Sequence, residues 1–564
     1  MRYGSRCMPK DEVRDRDDWW RSGVVYQIYP RSFADTNGDG LGDLPGVIEH
    51  LDHLAGAPES LGVDALWLSP IYPSPGLDAG YDVADHTTID PLFGTMADFE
   101  RLVREAHQRG LRIILDLVLN HTSSRHPWFQ ESRRGRDDPR ANWYIWRDPA
   151  GRDRRGRPRP PNNWVSYFGG SAWAWDRRRG QYYLHTFLRQ QPDLNWREPG
   201  VHAAQFEMVR GWLRRGVDGF RLDVFNALLK SESLESNPRQ RSLTHRPWDR
   251  QRHLYDKDNP ELETLLNQFR AMLDAEPGHM SVGELFEGNI AMAAALTRPR
   301  HVVFDFELLE EPWSAEAIRR AIADREAAFG SERWPTIVLS NHDRSRHVSR
   351  YLESIGRSDT ETADRLARAA AVLLLTQRGT PFMYYGEEIG LPNVEVPVSE
   401  IQDPPARRAS PTFPWWNRDQ CRSPMPWKGG RGAGFTSGRP WIRLIPNVAA
   451  RNVALQRSEA NSVLAVYRRL LAARRASEAL HGGSFAFAPS GDPDVLTYVR
   501  ESESERVLVA INFSTEPRRA VLPGGEWRPV FDTDEPKVAA NHATDAVDLR
   551  GLQAVILAIR GGSS

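Results

Sequence analysis

The sequence is poor in cysteine, in lysine and in long hydrophobic runs. Its 564 residues include two cysteines, Cys7 and Cys421, which argues against a disulfide framework and for a reducing compartment. No stretch approaches the roughly 18 apolar residues of a membrane span, and the N-terminus lacks the apolar run of a signal peptide. We therefore expect a cytoplasmic protein with no membrane partner.

A strong charge of either sign is also missing. The formal net charge is −1 and the isoelectric point is about 7.0, so composition gives no reason to expect a nucleic acid as partner. The length suits a large domain with smaller satellites. Neither a nucleic acid nor an anionic membrane is therefore expected as a partner, and the protein is expected to be a monomer or a homodimer.

Short apolar runs rich in β-branched residues alternate with helical patterns over about the first 390 residues, which predicts βα units and a parallel sheet. Eight such runs predict a (β/α)8 (TIM) barrel. They are VVYQIYP from Val24, ALWLSP from Ala65, RIILDLVLNH from Arg112, GFRLDV from Gly219, MSVGEL from Met280, VVFDF from Val302, TIVLSNHD from Thr336 and TPFMYYG from Thr380.

Two regions depart from the βα rhythm. The segment 122–199 is too long for a connecting loop and predicts a small domain inserted after the third strand. Past residue 482 short alternating runs predict a C-terminal antiparallel β-sandwich. The barrel is then formed by residues 1–121 and 200–481, with an irregular loop region at 391–447, and the sandwich by residues 482–564.

Three of the predicted strands end in a carboxylate: Asp223, Glu284 and Asp343. In a parallel barrel such strand ends meet at one rim, where catalysis occurs. Retaining cleavage of a glycoside needs one ionised carboxylate as nucleophile and one protonated carboxyl as acid. Arg221 would keep Asp223 ionised, and burial would raise the pKa of Glu284. A single strand-end carboxylate is more often structural, but three together predict a glycosidase site.

The chain resembles glycoside hydrolase family 13, the α-amylase family, in four segments: DLVLNH (116–121), GFRLDVFN (219–226), VGEL (282–285) and LSNHD (339–343). The resemblance covers nearly the whole chain. It implies Asp223 as nucleophile, Glu284 as general acid/base and Asp343 as transition-state stabiliser. It also implies a set of residues that hold the glucosyl unit: His121, Arg221 and His342.

Three further segments look like the oligo-1,6-glucosidase and α-glucosidase branch: QPDLN (191–195), GTPFMYYGEEIG (379–390) and NRDQCRSPMPW (417–427). The branch implies that Asp78 and Tyr81 recognise the terminal glucose and that Arg418, paired with Asp78, closes the pocket, which makes the enzyme exo-acting. Val224 after the nucleophile goes with α-1,6 bonds in this branch. Phe225, Arg344 and Pro426 depart from the usual pattern, on the side expected for the leaving group.

The segment DTNGDGLGD presents oxygen ligands at alternate positions: Asp35, Asn37, Asp39, the Leu41 carbonyl and Asp43. This pattern suits Ca²⁺ or Mg²⁺, and a solvated acidic turn is the alternative. The resemblance implies a structural metal there, away from the chemistry. Covalent catalysis by carboxylates implies no organic cofactor.

The expected activity is that of an exo-acting retaining α-glucosidase that favours α-1,6 linkages such as isomaltose. Three alternatives use the same glucosyl-enzyme intermediate: an α-1,4-glucosidase acting on maltose or sucrose, a transglucosidase, and a sucrose isomerase or trehalose-forming enzyme. A non-catalytic subunit of a membrane transporter is a remote alternative, because such relatives carry a membrane span and lack parts of the triad.

Overall fold

A computed structural model describes residues 18–244, 246–403, 406–407, 417–537 and 545–560, so Cys7 lies outside the described residues. All eight predicted barrel strands are confirmed, and each pairs in parallel with its neighbours. In chain order they are β1 (Val25–Ile28), β2 (Ala65–Leu68), β3 (Arg112–Leu117), β7 (Gly219–Leu222), β8 (Met280–Gly283), β9 (His301–Val303), β10 (Thr336–Val338) and β11 (Thr380–Tyr384). The spatial order is β10-β11-β1-β2-β3-β7-β8-β9.

The strands are apolar on both faces because both faces are buried. Alternate side chains fill the barrel interior, among them Trp67, Ile114 and Val282. The side chains between them, such as Leu66 and Phe220, pack outward against the helices.

The two ends of this sheet, β9 and β10, are joined by a side chain. The Thr336 hydroxyl accepts a hydrogen bond from the Asp305 backbone amide (2.9 Å) and lies 3.4 Å from the Val303 carbonyl, to which it donates. Thr336 is fully buried. It therefore replaces part of the backbone ladder where the barrel closes.

Helices surround the barrel and connect its strands. They are α1 (Trp19–Ser22), α2 (Leu44–Glu49), α3 (Leu51–Leu54), α4 (Met96–Gln108), α5 (Pro127–Ser132), α6 (Pro199–Leu213), α7 (Leu262–Asp274), α8 (Ile290–Leu296), α9 (Glu307–Glu310), α10 (Ala315–Phe329), α11 (His347–Ser354), α12 (Thr360–Thr376), α13 (Val453–Ser458), α14 (Val463–Arg475) and α15 (Glu478–Gly482). Within the described parts of the chain, no helix is long and apolar enough to cross a membrane.

A small antiparallel sheet lies in the chain between β3 and β7, where the inserted domain was predicted. Its strands are β4 (Trp146–Arg147), β5 (Trp173–Asp176) and β6 (Gln181–Leu184), in the order β4-β6-β5. Aromatic side chains dominate its core, including Trp164, Trp173 and Tyr182. The barrel resumes at α6, whose first residue is Pro199.

The C-terminal region forms two antiparallel sheets, as predicted. Five strands pair in the order β12-β13-β14-β18-β16, and two others, β15 and β17, form a second sheet. The bounds are β12 (Ser484–Phe487), β13 (Val495–Glu501), β14 (Glu505–Asn512), β15 (Arg518–Val521), β16 (Arg528–Asp532), β17 (Ala546–Leu549) and β18 (Ala554–Arg560). An apolar core that includes Leu508, Trp527 and Leu549 fills the space between them.

Replacing Thr336 by Val keeps the side-chain volume but leaves the buried Asp305 amide unpaired. We expect the free energy of unfolding to fall by about 1–3 kcal/mol. Chemical denaturation measures this change. Thr264→Val on the exposed face of α7 is the control and is expected to stay within about 0.5 kcal/mol of the parent. Equal stability of the two variants would mean that the Thr336 bridge does not stabilise the barrel.

Candidate active site

The three predicted carboxylates lie at one rim of the barrel. Asp223 directly follows β7 and Glu284 directly follows β8, which is the neighbouring strand. Asp343 lies farther along the chain, five residues beyond the end of β10, because that strand is shorter than its apolar run predicts. All three line one cavity of about 350 Å³.

Most of the other predicted substrate residues line the same cavity: Asp78, Tyr81, His121, Val224 and Arg418. Arg221 and His342 lie directly behind it, each about 1% exposed. The structure therefore brings together every residue that the sequence assigned to the sugar site.

One guanidinium group contacts three carboxylates beneath the cavity. Arg221 Nη1 donates to Asp116 (2.7 Å) and to Asp223 (2.9 Å), and Nη2 is paired with Glu284. Arg221 lies on β7 two residues before Asp223, so both side chains emerge on the same face of the strand. Because Asp223 and Glu284 share one planar donor group, they face the same small region of the cavity.

The pKa of Asp223 differs from the sequence-based expectation. Burial raises it to about 7, and the opposing effect of Arg221 does not restore the ordinary value, since the charges of Asp116, Asp343 and Asp78 raise it further. The Arg221 contact that was predicted is present. It does not keep the carboxyl fully ionised at neutral pH.

A chain of hydrogen bonds orients Tyr81 and His342. The Gln27 amide donates to His342 Nδ1 (2.7 Å), which leaves the proton of the neutral ring on Nε2. Nε2 lies 2.7 Å from the Tyr81 hydroxyl, which in turn donates to Asp116 (3.0 Å). Burial lowers the pKa of His342 to about 3, so the ring is neutral.

Asp343 is held as an anion by two arginines. Its Oδ1 accepts from Arg422 (2.8 Å) and Arg418 (3.1 Å), while Arg422 also donates to the His342 carbonyl. Burial alone would raise the pKa of Asp343, but His342 and the two arginines outweigh it and hold the pKa well below the usual range. A fixed negative charge therefore faces the cavity.

Arg418 also closes one end of the cavity. Its Nη2 donates to Asp78 (2.9 Å) and to Asp403 (2.7 Å), so that three acidic side chains surround one guanidinium. Gln191 donates to the second oxygen of Asp78 (3.0 Å) and lies 3.1 Å from His121 Nε2. These contacts join the barrel to the inserted region at the end wall of the pocket.

Aromatic side chains form the cavity wall next to Asp223 and Val224: Tyr167, Phe168, Phe187 and Phe286. Val224 packs against Phe187 and Phe286. Its backbone is left-handed (φ 38°), which is unfavourable for a β-branched residue and typical of strain at a functional site. Of the three departures noted in the sequence, Arg344 lines the cavity. The Phe225 ring packs beneath it against Gly283, and Pro426 is buried and does not line the cavity.

Comparison with known families decides the class of the protein. The family description "Alpha amylase, catalytic domain" matches residues 27–483. The chain belongs to the α-amylase family of glycoside hydrolases. The description "Maltogenic Amylase, C-terminal domain" matches residues 485–550, which include most of the C-terminal sheets of this hydrolase.

Several proteins are similar to this glycoside hydrolase over nearly their whole length. A probable alpha-glucosidase of Rhizobium meliloti (strain 1021) is 42% identical, over 91% of this chain and 92% of the relative. An oligo-1,6-glucosidase of Heyndrickxia coagulans is 35% identical, over 91% and 95%. The crystal structure of the alpha-glucosyl transfer enzyme XgtA superposes with a TM-score of 0.87 at 42% identity, covering 96% of this chain and 99% of that one.

Most side-chain oxygens of the predicted metal loop accept hydrogen bonds from the loop itself, and Asp35 also accepts one from the Thr436 hydroxyl. Both oxygens of Asp35 accept backbone amides, and Asp43 caps α2 through Gly46. Asn37 and Asp39 each accept the amide two residues ahead. Among the described residues of this hydrolase, no group of three or more Asp, Glu, His or Cys side chains is placed to hold a metal ion. The metal site stays a prediction.

The roles of several site residues were not predicted from the sequence. Asp116 stood in a recognised segment, but its pairing with Arg221 was not foreseen. Gln27, Asp403 and Arg422 contact the site from distant parts of the chain, and a buried Gln or Asp has no local signature. The arginine-rich stretch around Arg418 was a usable signal for Arg422.

The His342 ring is expected to stay neutral on acidification. Since burial lowers its pKa from about 6.5 in the unfolded chain to about 3, its ring resonances should not titrate between pH 8 and 5, and Nε2 should carry the proton. Its contribution to stability is complete above pH 6.5 and is lost as the pH falls toward 3.

NMR of histidine-labelled protein, assigned with His342→Gln, measures this directly. The urea-unfolded chain is the control and should titrate near 6.5. A midpoint near that value in the folded protein would refute the neutral, hydrogen-bonded ring.

Proposed function

We propose that this member of the α-amylase family is an exo-acting retaining α-glucosidase. It releases glucose from the non-reducing end of short α-glucosides and prefers α-1,6 linkages such as that of isomaltose. The observation that carries the proposal is the pairing of Asp223 and Glu284 with the single guanidinium of Arg221 at the base of a sugar-sized cavity.

The two carboxylates divide the chemistry. Asp223 attacks the anomeric carbon, while Glu284 gives its proton to the leaving oxygen and then takes one from the incoming water. Retaining enzymes place the two groups about 5–5.5 Å apart, and contacts to one guanidinium are compatible with that spacing. The Glu284 side chain is 18% exposed, which leaves room for the leaving group and for water.

Asp343 stabilises the positive charge that develops on the glucosyl ring. Its low pKa keeps it ionised throughout the pH range of activity. The Gln27–Asp116 hydrogen-bond chain holds His342 and Tyr81, so the Tyr81 ring at the cavity wall is fixed in place before the sugar binds.

The end wall supports removal of one terminal glucose at a time. Arg418 forms ion pairs with both Asp78 and Asp403. A longer sugar chain cannot extend past Asp78 and Arg418 without breaking these buried ion pairs. Asp78 then offers its remaining hydrogen-bonding capacity to the terminal glucose.

The linkage preference rests on Val224 and on the name of the Heyndrickxia relative, an oligo-1,6-glucosidase. An α-1,4-glucosidase is the nearest alternative. Transfer of glucose to a sugar instead of water is the second candidate, and it is favoured by similarity to the alpha-glucosyl transfer enzyme XgtA and by the aromatic wall on the leaving-group side.

A panel of isomaltose, maltose, sucrose and longer oligosaccharides, followed by time-resolved product analysis, tests the activity. We expect isomaltose to be the best substrate and glucose to be released first as the α-anomer. Asp223→Asn should lower kcat by at least about 10⁴-fold, because the covalent step is lost. Asp98→Asn on α4 is a matched control outside the cavity and should retain full activity.

Each arm of this experiment has its own contrary result. A clear preference for maltose would end the α-1,6 assignment, and disaccharide products in place of glucose would favour a transglucosidase. Near-normal turnover by Asp223→Asn would remove that residue from the nucleophile's role.

The pH profile of kcat/KM should have its acidic midpoint near pH 7. Asp223 must be ionised to attack, and its pKa is raised to about 7, so the active form is present above that pH and falls about tenfold per unit below it. Asp116→Asn removes a charge that raises this pKa and should shift the midpoint to lower pH. A parent midpoint near 4 would contradict the burial effect.

A further inference from the structure

The turn that follows the nucleophile binds the loop that carries the acid. Asp223 is followed by Val224 in a left-handed conformation and by a 3₁₀ turn at Phe225–Ala227. This geometry directs the backbone amide of Phe225 at the Glu284 carbonyl, 3.3 Å away. The strained residue thus has a structural consequence, which is a direct link between the two catalytic segments.

Asn226 strengthens this link with its side chain. Its Oδ1 accepts from the Phe286 amide (2.6 Å), and its Nδ2 donates to the Phe286 carbonyl (3.0 Å) and to Asp258 (2.6 Å). Asn226 is fully buried, and Phe286 is 6% exposed. The carboxamide therefore pairs both peptide groups of one residue, as a neighbouring β-strand would.

Phe286 lies two residues after Glu284, so this clamp fixes the segment from which the acid projects. The next residue, Glu287, has a left-handed backbone (φ 49°). Its carbonyl accepts from Lys257 (3.0 Å), and its carboxylate pairs with Arg246 (3.3 Å). All of these partners belong to the segment between β7 and α7.

We propose that Asn226 is a positioning residue for general-acid catalysis. It holds the Glu284 loop in register with the Asp223 turn, so that the acid reaches the leaving oxygen while the nucleophile faces the anomeric carbon. Asn226 is not among the residues that line the cavity and acts through the backbone of Phe286. The inference rests on the proposed roles of Asp223 and Glu284.

This role predicts a dependence on the leaving group. A sugar leaving group must be protonated as it departs, whereas p-nitrophenolate departs with little assistance. A displacement of about 1 Å in a catalytic group can cost roughly 100-fold in rate. Loss of the clamp should therefore damage cleavage of a disaccharide far more than cleavage of p-nitrophenyl α-glucoside, when both are measured as kcat/KM.

The test compares three variants on both substrates. Asn226→Leu keeps the volume and removes both hydrogen bonds to Phe286. Glu284→Gln removes the acid itself and sets the reference. Asn237→Leu is the matched control, because Asn237 is a buried amide on the same segment that accepts the Leu254 and Tyr255 amides, away from the acid loop.

We expect Asn226→Leu to lose roughly 100-fold in kcat/KM on the preferred disaccharide and less than about 5-fold on the p-nitrophenyl substrate. The ratio of kcat/KM on the disaccharide to kcat/KM on the p-nitrophenyl substrate should fall in Asn226→Leu, as it does in Glu284→Gln. In Asn237→Leu this ratio should keep the parent value. If Asn226→Leu does not fold, Asn226→Asp decides. It keeps the acceptor for the Phe286 amide but replaces the donor by an oxygen that repels the Phe286 carbonyl and Asp258, so the same substrate-dependent loss is expected.

Equal losses on both substrates, as for Asn237→Leu, would overturn the positioning role and leave Asn226 a purely structural residue. The proposed function fails differently, because then Glu284→Gln itself would show no dependence on the leaving group. Reading the Glu284→Gln ratio first therefore separates the two failures.

Discussion

The pairing of one buried arginine with three carboxylates is the interaction on which this active site depends. Arg221 lies behind the cavity with Asp116, Asp223 and Glu284 around its guanidinium group. Burying the acids without it would cost several kcal/mol for each unpaired charge. A guanidinium group is planar and permanently charged, so it fixes the directions of its hydrogen bonds, which a lysine ammonium group cannot do. The side chain that neutralises these carboxylates thus also fixes their positions.

Contacts with arginine also set the pKa values of Asp223 and Asp343. Asp223 has a raised pKa because burial and three neighbouring acids exceed the effect of its one arginine. Asp343 has two arginines of its own and stays anionic, although it is also buried. Two aspartates in one cavity therefore differ in pKa because they contact different numbers of guanidinium groups.

Features that depend on local pattern were predictable from the sequence. The eight strands were predictable because parallel strands buried on both faces read as short apolar runs, and the carboxylates at their ends, such as Asp223 and Glu284, followed from that rhythm. Gln27 and Asp403 were not predictable, because their roles arise from tertiary contacts that leave no local pattern, whereas the arginine-rich stretch around Arg418 was a signal for Arg422. The raised pKa of Asp223 was also missed, since one adjacent arginine is visible in the sequence and the surrounding acids are not.

The far end of the pocket consists of side chains rather than backbone. Arg418 and Asp403 come from the segment after the last barrel strand, and Asp78 comes from the loop after β2. The depth of the cavity is consequently independent of the strands that position Asp223 and Glu284. A relative with other residues in these peripheral loops can admit longer chains on an unchanged barrel, so the number of sugar units accepted can evolve separately from bond cleavage.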